Sequence, residues 1–254
     1  MLLAVDIGNT EMAFGLFSGS ALAATWRFAS SAGRTVDEYV LLLSAAIGHH
    51  GLAVSDVTES IIATTSPQLL PTLQRSCQAL FGHRSLEVGP GIKTRLKVRF
   101  EPPTDLGGDR IANAVAAYHL YGGGATIVVD FGTATVFDVV SAKGEYLGGA
   151  IAPGLFVAAE ALVGRTARIP RVELTAPPAA VGRSTAHALQ SGLVYGHVDM
   201  FEGMLQRIKR EVGSARVIAT GDLAPQFAQM SRQLELVVPH LALQGLQLLH
   251  QFNS

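Results

Sequence analysis

The sequence predicts an α/β protein made of two related halves, each a mixed sheet that opens with an antiparallel meander and is flanked by helices. Two stretches carry the prediction, "LLAVDIGNTEMAFGLFSGSALAATWRF" and "ATIVVDFGTATVFDVVSAKGEYLGGAIA". Each is an apolar run that ends on Asp-x-Gly, turns through Thr, returns as a strand, and turns again at glycine into a third strand. The repeat is loose and long, with no short solenoid period. A run of three glycines, Gly122 to Gly124, marks the expected division into domains 1–122 and 123–254.

The elements follow in order. Leu2 to Ile7, the alternating stretch around Met12, Phe14 and Leu16, and Ala21 to Phe28 read as three strands. Thr35 and Glu38 form a capping box, and Val36, Tyr39, Val40, Leu43 and Ile47 supply the apolar stripe of the helix it starts. "SIIATTS" is a buried strand, Pro67 suits the first turn of the next helix, and "SLEVG" is a further strand. Residues 89–108 lack periodicity and are rich in Gly, Pro and charge, which is the texture of a binding loop. A helix starts at about Asp109. Beyond the second meander come helical segments near 154–164 and 184–211, the strand "ARVIAT", and closing helices at "LAPQFAQM" and "HLALQGLQLLHQF".

Composition narrows the class. Of 254 residues, 48% are hydrophobic and 15% charged, with 27 glycines and a formal net charge of −1. That balance describes a folded α/β chain and offers no electrostatic case for nucleic acid or an anionic membrane. Cys77 is the only cysteine, so a reducing cytoplasm is expected. No run approaches the roughly 20 apolar residues of a membrane span.

The repeated turn suggests its own chemistry. Small residues and threonine bring backbone N–H groups and hydroxyls close to an anion. A carboxylate closing the strand before them can hold a cation that bridges to phosphate. Two such hairpins facing each other would clamp a polyphosphate, with Asp6 and Asp130 handling cations. Thr220-Gly221, between a strand and a helix start, is a candidate adenosine contact, and Asp222 a candidate cap of the helix at Leu223. His49-His50 reads as a helix end. His187 and His197 lack zinc spacing and cysteine partners.

Six ordered motifs then resemble the type III pantothenate kinases. They are Asp6-Ile-Gly-Asn-Thr10, Gly107-Gly-Asp-Arg110, Asp130-Phe-Gly-Thr-Ala-Thr135, Gly148-Gly-x-Ile-x-Pro-Gly154, Gly182-x-x-Thr185 and Gln190-Ser-Gly192. The resemblance implies two ribonuclease-H-like domains of the actin-like ATPase fold and a homodimer. It also implies ATP, Mg2+ and a monovalent cation (K+ or NH4+), with phosphoryl transfer to the primary hydroxyl of pantothenate, the first step towards coenzyme A. By the same resemblance Asp109 is the catalytic base. Asp6, Ile7, Gly8, Asn9, Thr10, Glu11, Met12, Ala13 and Thr133 contact ATP, and Phe100, Gly107, Gly108, Asp109, Arg110 and Thr185 contact pantothenate. Asp130 is the monovalent-cation ligand, and Asp6 a candidate for magnesium. The helix dipole is expected to keep Asp109 ionised.

The chain departs from the family at several places. Phe100 replaces a usual tyrosine, Arg95 a usual glycine, Asp222 the second of a Gly pair, and "ALQGL" near the C-terminus a usual Thr-Leu-Glu-Gly-Leu. Glu11 stands where a small or amide residue is common. These changes keep two alternatives open: a kinase of this superfamily for another small hydroxylated acceptor, and a nucleotide-binding regulator with altered catalysis.

Overall fold

The computed structural model describes residues 1–166 and 169–254. They form two compact units, Met1–Tyr121 with His240–Ser254, and Gly122–Pro239.

The first unit opens with β1 (Leu2–Ile7), β2 (Glu11–Ser18) and β3 (Ala21–Ala29), followed by α1 (Val36–His49), β4 (Glu59–Thr64) and α2 (Leu70–Phe81). The two-residue strands β5 (Leu86–Glu87) and β6 (Lys97–Val98) precede α3 (Gly108–Tyr121). The second unit holds β7 (Ala125–Phe131), β8 (Ala134–Val140), β9 (Glu145–Pro153), α4 (Leu155–Gly164) and α5 (Thr185–Gln190). It continues with α6 (Gly196–Val212), β10 (Ala215–Thr220), α7 (Ala224–Ala228) and β11 (Leu236–Val237). The last helix, α8 (Leu241–Asn253), returns to the first unit.

The strand order is β3-β2-β1-β4-β5 in the first unit and β11-β10-β7-β8-β9 in the second. Read from the third meander strand, the two orders are the same. The directions agree as well: antiparallel through the meander, then parallel from β1 to β4 and from β7 to β10. Even the irregularities correspond, with a register shift at Leu16/Phe17 in β2 and at Val139/Val140 in β8.

Period-two alternation explains why β1 is apolar throughout, because both its faces are covered. Leu3, Val5 and Ile7 join a core with Tyr39, Leu43 and Ile47 of α1 and Leu73 of α2, while Leu2 and Ala4 join one with Ala112, Val115, Leu243 and Leu246. In the second unit Ile127, Val129 and Phe131 pack with Phe201, Leu205 and Phe227. The capping box at Thr35 forms as expected, with both reciprocal hydrogen bonds present.

Several expectations change. α2 starts at Leu70 and has Pro71, not Pro67, in its first turn. Asp222 does not cap α7, whose flanking residue is Leu223. The segment 185–212 stays helical, but a π-helical turn at Ser191–Tyr195 separates α5 from α6. The expected boundary at 122/123 placed α8 with the second half, whereas α8 lies in the first unit against α3. Gly245 makes that possible: a Cβ there would sit 1.9 Å from the Ala112 carbonyl oxygen, so only glycine lets the two helices approach this closely. Among the described residues, no helix is long and apolar enough to cross a membrane.

Candidate active site

Asp6 sits on β1 between Ala13 of β2 and Ala63 of β4. Asp130 holds the corresponding place on β7, between Val136 of β8 and Thr220 of β10. Both are half-buried.

The turn after Asp6 is held by hydroxyl-bearing neighbours. Gly8 N–H donates to the Glu11 carbonyl at 3.0 Å. Ser30 donates its N–H to the Thr10 carbonyl at 2.8 Å and its hydroxyl to the Gly8 carbonyl at 2.6 Å. Thr65 N–H donates to the Ile7 carbonyl at 2.9 Å. With these carbonyls satisfied, exposed Asn9 and Thr10 form the tip. A Cβ on Gly8 would lie 2.8 Å from the Glu11 carbonyl oxygen, so the glycine is required by space. Ile7 and Met12 are fully buried and offer only backbone. Glu11 is paired with Arg27 of β3 at 3.2 Å, which accounts for its presence beside the turn.

The turn after Asp130 is braced by glycine contact instead. Gly154 N–H donates to the Thr133 carbonyl at 3.0 Å. A Cβ there would fall 2.3 Å from the Gly132 carbonyl oxygen and 2.5 Å from that of Thr133. Gly221, at φ +87°, lies under Asp130, and a Cβ would come within 2.6 Å of Asp130 Oδ1. Thr133 is exposed at the tip. Behind it, the hydroxyl of buried Thr135 lies 2.9 Å from His197 Nε2. His197 stacks on Phe227, centroids 5.1 Å apart and planes 17° apart. Burial lowers its pKa below the ordinary 6.5 and keeps the ring neutral. The partner of this histidine is a threonine of the third motif.

Asp109 opens α3, with Oδ1 buried and without a hydrogen-bond partner among the described residues. Burial raises its pKa above 3.8, opposed by backbone N–H groups and the Arg110 guanidinium. The expected dipole effect is therefore outweighed by desolvation. The glycines before it serve packing. A Cβ on Gly107 would lie 2.5 Å from Asp109 Oδ1, and one on Gly108 would meet Ala63 of β4 at 3.1 Å. Arg110 is buried, and its guanidinium lies 5.5 Å from the centroid of the Phe100 ring. Phe100 belongs to the segment 98–103, which lines an open cavity of about 630 Å³.

Thr185 is exposed in the first turn of α5. The cap is Ser184, whose hydroxyl accepts from His187 N–H at 3.2 Å, so capping does not explain Thr185. Gly182, three residues earlier, runs against α5, where a Cβ would fall 2.3 Å from Ala188 N.

The sequence model of the type III pantothenate kinases matches residues 2–207. The chain belongs to that family. The kinase is 45% identical to the type III pantothenate kinase of Moorella thermoacetica, with all of both chains covered. It is 42% identical to that of Geobacillus thermodenitrificans, covering all of this chain and 98% of the relative. Solved structures with the same fold include a Campylobacter jejuni protein described as a Baf family transcriptional activator (TM-score 0.61, 20% identity, 99% and 98% coverage). Another is the ROK hexokinase of Thermus thermophilus (TM-score 0.52, 15% identity, 98% and 97% coverage). The kinase therefore has the actin-like ATPase fold.

Proposed function

We propose that this chain transfers the γ-phosphoryl group of ATP to the primary hydroxyl of pantothenate, with Asp109 as the group that receives the hydroxyl proton. The observation that carries the assignment is the Asp109 carboxylate, buried at Oδ1 without a hydrogen-bond partner among the described residues and with its proton affinity raised by burial. A base works best when its pKa approaches the working pH, and an oxygen not already engaged can accept the substrate hydroxyl. Arg110 is the cation proposed to meet the pantothenate carboxylate, and Phe100 and Thr185 are the further proposed acceptor contacts. The hairpin residues Asp6 to Ala13, and Thr133, bind phosphate oxygens through backbone N–H groups and hydroxyls.

Asp6 and Asp130 are the candidate cation ligands. Carboxylate, hydroxyl and carbonyl oxygens are hard donors that suit Mg2+ and K+. The glycine beneath Asp130 keeps space clear at its Oδ1. Among the described residues no three His, Cys, Asp or Glu side chains gather as a metal group, so magnesium would be held by one carboxylate together with phosphate oxygens and water. When bound, such a cation neutralises charge on the transferring phosphoryl group.

A homodimer is part of the same proposal. α4, "LFVAAEALVG", is apolar at nearly every position, yet only Leu155 is buried. Phe156, Val157 and Leu162 on α4, with Leu147 and Ile151 on β9, are exposed large hydrophobics that a second copy would cover.

The test is ADP release by the purified protein in potassium buffer with ATP and magnesium, with and without pantothenate, beside Asp109→Asn. Pantothenate-dependent release that is lost in the variant supports the reading. ATP binding without acceptor-dependent release would favour the regulator instead.

A further inference from the structure

The loop that carries Phe100 towards α3 is fastened to the last turn of α8. Asn253 treats Lys93 as a neighbouring strand would: its Oδ1 accepts from Lys93 N–H at 2.9 Å and its Nδ2 donates to the Lys93 carbonyl at 3.0 Å. The same Nδ2 also donates to the Leu249 carbonyl at 2.7 Å, which ties the side chain to its own helix. One residue earlier, the Phe252 ring lies 4.1 Å from the Arg95 guanidinium carbon, within range of a cation–π contact. His119 of α3 meets the same ring edge-on at 5.2 Å.

Between these fastenings the loop is bent in a way that needs them. Arg95 has φ +54°, the left-handed region that glycine enters without cost and arginine does not. Thr94 is buried, and its hydroxyl accepts from Leu96 N–H at 3.1 Å and donates to the Leu96 carbonyl at 3.0 Å. Arg95 stands where the resemblance would place a glycine. The long side chain forfeits backbone ease and gains a stacking partner at the end of the chain. α8 is itself a firm anchor, since Gly245 seats it on α3, Gln244 accepts from the Tyr121 hydroxyl at 2.8 Å, and Gln247 donates to the Gly19 carbonyl at 3.2 Å.

We infer that Phe252 and Asn253 are positioning residues for the acceptor site. By fixing residues 93–96 they set where Phe100 stands beside Arg110. The inference rests on reading that loop as the pantothenate site, and its test separates the two.

The variants are Phe252→Leu, which keeps an apolar side chain but no ring, Asn253→Ala, and Arg95→Gly in the Phe252→Leu background. Hydrogen exchange of amides 93–104 is read alongside KM for pantothenate, KM for ATP, kcat and Tm. Faster exchange confined to 93–104 is expected, with pantothenate KM raised about fivefold to tenfold per variant and ATP KM and kcat unchanged. Arg95→Gly should add nothing to the pantothenate KM defect of Phe252→Leu, because both remove the same Arg95–Phe252 contact, while Tm also registers the relief of the left-handed backbone at position 95. Unchanged exchange would overturn the fastening itself. Faster exchange with unmoved pantothenate KM, or with both KM values moved alike, would overturn the positioning role. A wild-type protein without pantothenate-dependent turnover would sink the site reading, while the exchange data still judge the fastening.

Discussion

The two Asp-x-Gly hairpins occupy the same place in two sheets of the same strand order, yet they are braced by different chemistry. Around Asp6 the residue that follows the third meander strand is Ser30, and the one that follows the parallel strand is Thr65; both hydrogen-bond to turn carbonyls. Around Asp130 the residues at those two places are Gly154 and Gly221, and they work by close approach. A hydroxyl brace is a hydrogen bond that water can partly replace. A glycine brace is a space that a methyl group would fill. The two units share the topology and the carboxylate while the supports differ, so the two hairpins should respond very differently to comparable small substitutions.

The largest effect is expected at Gly221→Ala. The added methyl meets both Asp130 and the Phe131 carbonyl at a backbone angle that alanine resists, so a loss of about 2–4 kcal/mol in urea unfolding is expected, with a raised ATP KM. An alanine that unfolds like wild type would break the comparison from the glycine side. Ser30→Ala is the milder counterpart. It removes the hydroxyl's hydrogen bond to the Gly8 carbonyl, and about 0.5–1.5 kcal/mol is expected in the same assay. If the two variants cost the same, the distinction between space and hydrogen bond has no energetic meaning here.

His197 sharpens the comparison, because the first hairpin has fully buried Met12 where the second has Thr135. His197→Phe keeps an aromatic ring against Phe227 and removes the nitrogen near the Thr135 hydroxyl. An ATP KM raised about threefold to tenfold is expected, matched by Thr135→Val and not increased in the double variant. Additive defects would show that the two side chains act separately.

The smallest effect concerns pH. Burial lowers the pKa of His197, and burial chiefly lowers that of His119, so both stay neutral in the folded state. The unfolded chain takes up protons near the ordinary 6.5. Stability from these groups is therefore present above about pH 6.5 and declines as the pH falls through the lowered folded values. Urea midpoints measured between pH 5 and 8 should fall on the acid side, and His197→Phe should flatten that slope.

Much of this was legible in the residues. Both meanders and the Thr35 capping box could be read because periodicity and turn chemistry are local signals, and the six motifs through their resemblance to a known family. The braces were less visible. Ser30 and Thr65 are ordinary polar residues outside the motifs, and they matter only because β3 and β4 end beside the first turn. Gly154 and Gly221 lie in readable stretches, but their reason is a neighbour far along the chain. Asp109 was expected to be held ionised by the helix dipole, whereas its burial, which no local pattern signals, raises its pKa. α8 was assigned to the second half by its position in the sequence, whereas its contacts depend on Gly245 finding Ala112. Asn253 carried no signal at all, since its partner Lys93 is 160 residues away.

The most direct test of the central claim is pantothenate-dependent ADP release as a function of pH, for wild type and Asp109→Asn. The account predicts an acid limb set by a carboxyl group above the ordinary 3.8, and a loss of about 10²–10⁴ in rate in the variant, with no such limb in what remains. An asparagine variant that keeps wild-type turnover and the same acid limb would contradict it.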